Sequence, residues 1–193
     1  MSPWEAVAVI LAIAYLLLAI KENILCWIFA FTSTAIYTLL FWNVNLLMDS
    51  ALNVYYMAMA VYGWYQWTRG SGDKNEEPLA VHSMSGRQQG MVIGSIALLS
   101  IISGYLLGEH SQEAWPYIDS FTTWASVITT YLVTQKYLQN WIYWIVIDAV
   151  SVPLYIERGL NLTALLFVAY VIIAVIGYFS WRAHLRHGQV VTS

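Results

Sequence analysis

The sequence predicts an all-α integral membrane protein of seven transmembrane helices, arranged as two parallel three-helix repeats joined by a connecting helix. Three observations predict it. Of 193 residues, 60% are hydrophobic and 10% are charged, against roughly half and a quarter in soluble domains. Apolar stretches near the ~20 residues that cross a bilayer recur along the whole chain. The chain also contains its own copy: the gapless offset that lays Trp27 on Trp141 also puts Tyr56 on Tyr170, Gly63 on Gly177 and Trp67 on Trp181. Ile28/Ile142, Ala35/Ala149, Leu40/Leu154, Leu46/Leu160, Ala60/Ala174 and Val61/Val175 fall in the same register. Repeated hydrophobic spans about an odd connecting span are the plan of a membrane transporter, with the substrate site between the copies.

The spans read as roughly 4–20, 24–42, 46–67, 90–107, 119–135, 140–156 and 161–181. Long continuous runs such as VIIAVIGYFSW exclude the short alternating strands of a transmembrane barrel. The first span lacks a basic leading region and a convincing cleavage site, so it is expected to be a retained helix rather than a signal peptide. Spans two and three carry Trp27, Tyr56, Gly63 and Trp67, which spans six and seven repeat. Between the copies, TRGSGDKNEEPLAVHSMSGRQQG is too rich in Gly, Ser and charge for a packed core. The expected organisation is a first repeat at 1–67, a cytoplasmic linker at 68–89, a connecting helix and outer loop at 90–118, a second repeat at 119–181 and a cytoplasmic tail at 182–193. Corresponding spans lie an even number of helices apart, so the repeats run through the membrane in the same sense.

Charge sets the orientation. Arg158 is the sole Lys or Arg on the side holding the N-terminus; Lys21, Arg69, Lys74, Arg87, Lys136, Arg182 and Arg186 fall on the other. The positive-inside rule then places the N-terminus outside and the C-terminus in the cytoplasm. On the outer side Glu5, Glu109, Glu113, Glu157, Asp49 and Asp119 make a field that favours cations, or reflect only the exclusion of basic residues. No nucleic-acid partner is expected.

Span six carries the residues with the most chemistry. Trp141, Trp144, Asp148, Ser151 and Tyr155 recur at helical spacing on one face. Asp148 lies about 12 Å past the start of the span, in an apolar core some 30 Å thick. A carboxylate there costs at least a few kcal/mol unless protonated, paired or hydrated, and marks a functional site by default. The bland reading is a hydrogen bond to a neighbouring helix. No Lys, Arg or His lies mid-span to pair with it, so the missing partner points to a cationic ligand, which Trp141 and Trp144 suit by stacking and cation–π attraction. An interfacial belt is the plain reading of the tryptophans, and it fits Trp141 better than Trp144.

Span three offers a second polar face: Asp49, Asn53, Tyr56, Ala60, Gly63 and Trp67. Asn53 can donate to and accept from an amide or pyrimidine edge. Gly63 and Gly177 are read as sites of close helix packing. In span five Asp119, Thr122, Ser126, Thr129 and Val133 form one stripe, whose hydroxyls either line a path or satisfy backbone carbonyls. Pro153 is expected to kink span six.

Enzyme chemistry is not expected. The four His residues fall in loops or the tail, which leaves no zinc pair or His-based triad inside the membrane. The one Cys cannot form an internal disulfide. No phosphate-binding loop is present for ATP, and neither a metal nor another cofactor is implied. The alternatives to a carrier are an ion channel and a membrane assembly partner.

The segments LNVYYMAMAVYGWYQW (52–67) and QNWIYWIVIDAVSVPLYIERGL (139–160) resemble the Pnu-type bacterial vitamin transporters. The likeness covers nearly the whole chain, with the YGW-x-x-W ending of span three, the N-W-x-x-W start of span six and Lys136 in the turn before it. The resemblance implies a SWEET-like 3+1+3 fold in the bacterial inner membrane. It also implies facilitated diffusion of a vitamin precursor, trapped inside when a cytoplasmic kinase phosphorylates it. By position, Trp141, Trp144, Asp148 and Asn53 match the family's binding faces. Nicotinamide riboside members often carry Asn at the place of Asp148 and Gln at the place of Asn53, which leaves the exact vitamin open. Nicotinamide riboside and thiamine each carry a fixed positive charge that suits Asp148 beside Trp144, whereas flavin is larger and neutral. The expected substrate is nicotinamide riboside, with thiamine as the alternative. Candidate contacts are Trp141, Trp144, Asp148, Asn53, Asp49, Tyr56 and Ser126. Proton coupling and a homo-oligomeric state stay open, with uncoupled transport favoured.

Overall fold

A computed structural model describes residues 3–43, 47–69, 79–110, 115–157, 159 and 161–191. Within them lie seven α-helices: α1 (Pro3–Ile20), α2 (Cys26–Asn43), α3 (Leu47–Arg69), α4 (Gly86–His110), α5 (Pro116–Thr134), α6 (Asn140–Glu157) and α7 (Asn161–Val191). The middle of the expected linker, Glu113 and Arg158 lie outside the described residues. By length and composition α1, α2, α4 and the Thr163–Arg186 stretch of α7 can each cross a membrane. The other three helices are those with the polar faces noted above. Large apolar side chains such as Ile10, Leu39, Ile101, Leu165 and Phe179 stand exposed, as expected of surfaces solvated by lipid. In α2, Thr32, Thr34 and Thr38 donate to the carbonyls of Ile28, Ala30 and Thr34 one turn back, so their hydroxyls need no water.

Two helix ends depart from the sequence reading. Helix α4 starts at Gly86 because Ser85 and Gln88 form a capping box: the Gln88 N–H donates to Ser85 Oγ at 3.3 Å and the Ser85 N–H to Gln88 Oε1 at 2.8 Å. Helix α7 runs on to Val191, since the residues after Trp181 include good helix formers such as Ala183, Leu185 and Arg186 and no proline.

The chain divides into two compact units. The first comprises Met1–Val81, Val133–Lys136 and Ser180–Ser193; the second His82–Leu132 and Tyr137–Phe179. In the first, buried Ser33 donates to the Ala8 carbonyl at 2.8 Å and ties α2 to α1. Ser50 donates to the Thr38 carbonyl at 3.0 Å and ties α3 to α2. The Trp27 ring lies directly on Gly63, where any Cβ would enter the ring, and meets Trp67 edge-on at 5.2 Å between centroids.

In the second unit Ile96 of α4, Ala125 of α5 and Ile147 of α6 form a core against which Val92, Phe121, Ile128, Tyr143 and Trp144 pack. Trp124 Nε1 donates to Ser103 Oγ at 2.9 Å. The end of the linker docks on the turn before α6. Leu138 N–H donates to the His82 carbonyl at 2.9 Å, Gln139 Nε2 donates to Ser83 Oγ, and Gln139 Oε1 accepts from Met84 N–H. Trp141 lies on Gly177, where an added Cβ would sit 2.7 Å from the indole. Each repeat thus seats its tryptophan on its own glycine.

The duplication extends to the turns. After α1, Asn23 N–H donates to Leu18 O and Glu22 N–H to Ala19 O; after α5, Tyr137 N–H donates to Leu132 O and Lys136 N–H to Val133 O. These are matching Schellman motifs at the repeat offset. Glu22 and Lys136 both take φ 53°, the left-handed position where glycine is usual and any other residue costs about 1 kcal/mol.

The seats on glycine generate the first prediction. Gly177→Ala and Gly63→Ala each push a methyl into a rigid indole, and the protein is expected to lose about 1–3 kcal/mol. At Gly94 an added Cβ meets nothing within 4 Å, so Gly94→Ala is expected to leave stability unchanged or raise it by a few tenths of a kcal/mol. Thermal unfolding in detergent compares the three; equal melting temperatures would refute the packing role.

Candidate functional site

Each unit has a polar face of its own. In the second unit α6 places Asp148 and Ser151 on one buried side, both 5% exposed. Ser151 Oγ is spent on the Ile147 carbonyl at 2.8 Å, one turn back. Among the described residues no hydrogen bond or ion pair reaches the Asp148 carboxylate. Trp144, one turn before it, is half-buried against the Ile96–Ala125–Ile147 core. One turn beyond, Pro153 lies inside the helix and removes the N–H that the Ala149 carbonyl would otherwise receive. Tyr155 packs its ring on Phe167 of α7 at 4.8 Å. Trp141 is 2% exposed, and its indole covers Gly177, so its visible work is helix packing.

Helix α5 adds hydroxyls to the second unit. Thr122 and Thr130 donate to the Asp119 and Ser126 carbonyls and so satisfy backbone. Ser126 is buried, and Thr129 is fully buried with no hydrogen-bond partner for its hydroxyl among the described residues. Of the span-five stripe, Thr122 therefore serves the backbone, and Ser126 and Thr129 form a buried pair one turn apart.

In the first unit α3 buries Asn53, Ala60 and Trp67 on one side, with Tyr56 half-buried and its ring 5.8 Å from that of Tyr55. Asp49 lies in α3, and its side chain is outside the described residues. A cavity of about 220 Å³ lies in this unit, lined by Trp27, Ile28, Phe31, Ala60, Val61 and Trp64. Its wall is apolar and contains none of the candidate residues.

A charged cluster in the first unit was not read from sequence as a site. Lys136 Nζ lies 2.8 Å from Glu22 Oε2, with side chains 7% and 19% exposed. His184 Nδ1 lies 2.6 Å from Glu22 Oε1, and Lys136 Nζ sits 4.5 Å above the Trp67 ring. Trp67 and Trp181 lie 6.2 Å apart. Trp67 Nε1 donates to the Thr134 carbonyl at the end of α5, and Trp181 Nε1 to the Ala19 carbonyl at the end of α1. The signal available in sequence was an acid and a base at the same place in the two copies.

The described residues are helical, with apolar outward faces, four helices fit to cross a bilayer and a buried acid that has no partner among them, the pattern of a helical membrane transporter. The family model described as "Nicotinamide mononucleotide transporter" matches residues 2–183, and the chain belongs to this family. It is 24% identical over 201 residues to the nicotinamide riboside transporter PnuC of Escherichia coli, covering 92% of this chain and 84% of that one. It is also 24% identical over 183 residues to the riboflavin/roseoflavin transporter RibM of Streptomyces davaonensis, covering 94% and 85%. Among solved structures it is similar to a crystal structure of the vitamin B3 transporter PnuC, with a TM-score of 0.75, 22% identity and coverage of 95% of this chain and 82% of that one.

A carboxylate kept for a ligand works against the folded protein that holds it. Asp148→Asn is expected to hold the melting temperature of the ligand-free protein or raise it, by up to about 1–3 kcal/mol of stability. A marked fall would show that the carboxylate is a structural partner within the protein.

Proposed function

We propose that this protein is a passive carrier that takes up nicotinamide riboside across the bacterial inner membrane. The observation that carries the reading is Asp148: a carboxylate 5% exposed in α6, with no partner among the described residues and the Trp144 indole one turn away. A pyridinium ring supplies what is missing, a fixed charge for the acid and a flat cationic face for the indole. The name of the Escherichia coli relative, a nicotinamide riboside transporter, supports this substrate, whereas that of the Streptomyces relative points to a flavin. The family's description points to the mononucleotide, but a phosphate needs cations, and the buried Lys or Arg among the described residues is Lys136, engaged with Glu22 at a helix end. The unphosphorylated riboside fits that balance better.

All seven helices cross the membrane in the 3+1+3, SWEET-like plan with parallel repeats, N-terminus outside and C-terminus in the cytoplasm. This orientation rests on the one-sided distribution of Lys and Arg. Residues 1–67 and 119–181 are the repeats, 68–89 the cytoplasmic linker and 90–118 the connecting helix with its outer loop. Asp148 and Trp144 hold the cationic ring. Asn53, Asp49, Tyr56 and Ser126 are contacts proposed from the sequence pattern, and Trp141 supports α6 from behind. Access alternates between the two sides, and a cytoplasmic kinase keeps the product inside by phosphorylating it.

Purified protein heated with nicotinamide riboside, thiamine or riboflavin tests the substrate, because a ligand that binds the folded state raises its apparent stability by mass action, about 2.7 kcal/mol at a hundred times Kd. Nicotinamide riboside is expected to give the largest shift. Asp148→Ala is expected to cut its saturable uptake into proteoliposomes by at least tenfold, roughly 1.4 kcal/mol. A larger shift with thiamine would reassign the substrate within the same site chemistry, and one with riboflavin would remove the cation argument. Undiminished uptake by Asp148→Ala would remove Asp148 from the site.

A further inference from the structure

We propose that Glu22, Lys136, Trp67 and Trp181 form the closed cytoplasmic gate of this carrier, braced by His184, and that release of substrate into the cell separates Glu22 from Lys136. The proposal rests on the alternating-access reading above and assigns the residues that reading leaves unnamed.

Four elements meet here: the turn after α1, the end of α3, the turn after α5 and the last part of α7. The odd-numbered helices all end on the side where the C-terminus lies, so the cluster closes the cytoplasmic end of the first unit. Its contacts cross between repeats in both directions. Trp67 of the first repeat donates to the α5 end at 3.2 Å, and Trp181 of the second donates to the α1 end at 3.0 Å. Residues equivalent under the repeat touch each other: Trp67 meets Trp181, and Glu22 meets Lys136 across the offset of 114 residues. Contacts between equivalents arise where two like segments meet about a local two-fold. Parting the segments there breaks all of these bonds together.

The chemistry of the cluster suits a contact that opens. The carbonyls that accept from the indoles belong to the last turns of α1 and α5, where the regular helical pairing ends, and the Ala19 carbonyl keeps the Glu22 N–H of its turn as a second donor. Water at a membrane surface can replace the indole donors. The ion pair is shielded while shut, with Lys136 only 7% exposed. On parting, both charges regain hydration, which offsets most of the lost attraction. The tryptophans seated on Gly63 and Gly177 have no such replacement, and they hold helices within each repeat. Both charged residues also sit in the left-handed position of their turns, where glycine would fit without cost. Backbone strain retained at two equivalent positions is a mark of a functional device.

The test locks the gate covalently. Glu22→Cys and Lys136→Cys are combined with Cys26→Ser to remove the native thiol, and the purified protein is joined with a short cleavable bis-thiol cross-linker and reconstituted. The cross-linked protein is expected to retain the thermal shift by nicotinamide riboside while its flux falls at least tenfold, and cleavage of the linker is expected to restore the flux. Flux unchanged by the cross-link would overturn the gate. Absence of flux for nicotinamide riboside, thiamine and riboflavin in the unmodified protein would instead overturn the transport reading. A charge series guards against a cysteine variant that does not fold. Glu22→Gln and Lys136→Gln are each expected to lower flux several-fold, and the exchange Glu22→Lys with Lys136→Glu to recover most of it, because the two turns share one backbone geometry. Single variants that transport normally would also overturn the proposal.

Discussion

The seating of a tryptophan ring on a bare glycine backbone, once in each repeat, is the constraint on which much of this fold depends. Between helices in lipid there is no hydrophobic driving force of the kind that packs soluble domains, so association rests on close van der Waals fit and a few hydrogen bonds. Trp27 over Gly63 and Trp141 over Gly177 supply that fit. In the first unit the seat fixes α2 on α3, and with it the buried side that carries Asn53. In the second it fixes the start of α6 on α7, and with it the rotation of α6 that turns Asp148 inward. The acid is thus buried by a contact two turns away.

Two kinds of contact serve two needs. Ring-on-glycine packing is apolar, rigid and without a substitute in lipid, which suits parts that move as blocks. The cluster of Glu22, Lys136, His184, Trp67 and Trp181 is polar, gathers about the ends of α1, α3 and α5 and can exchange its bonds with water. Asp148 differs from both, since it is buried with no partner among the described residues.

Much of this architecture was legible from sequence because a bilayer allows few solutions. Backbone polar groups must be satisfied within a span, which ties hydropathy closely to helix number. The helix starts near Cys26, Pro116, Asn140 and Asn161 followed from apolar runs alone. The early start of α4 was also written in the sequence, as Ser85 and Gln88 three residues apart, but the eye follows hydropathy past a capping box. The long α7 was missed because polar composition after Trp181 signals departure from the membrane and says nothing against continued helix. At the site, the place of Asp148 eight residues into α6 and one turn beyond Trp144 was readable from spacing. The seat of Trp141 on Gly177 was half legible: the glycine was read as a packing position, but spacing does not say which ring fills it. The charged cluster was the largest omission, because Glu22 and Lys136 are far apart in sequence: Lys136 stood out only as a basic residue in a turn, and Glu22 not at all.

That pair carries a historical implication. The turns after α1 and α5 match bond for bond and share the same unusual backbone angle, yet one presents an acid and the other a base. Two identical half-length chains meeting in this way would bring glutamate to glutamate or lysine to lysine, and the contact would repel. The bridge can exist only where the two halves are free to differ. Joining the copies in one polypeptide therefore did more than hold them together: it made each half a specific complement of the other, and neither could again assemble this contact with its own kind.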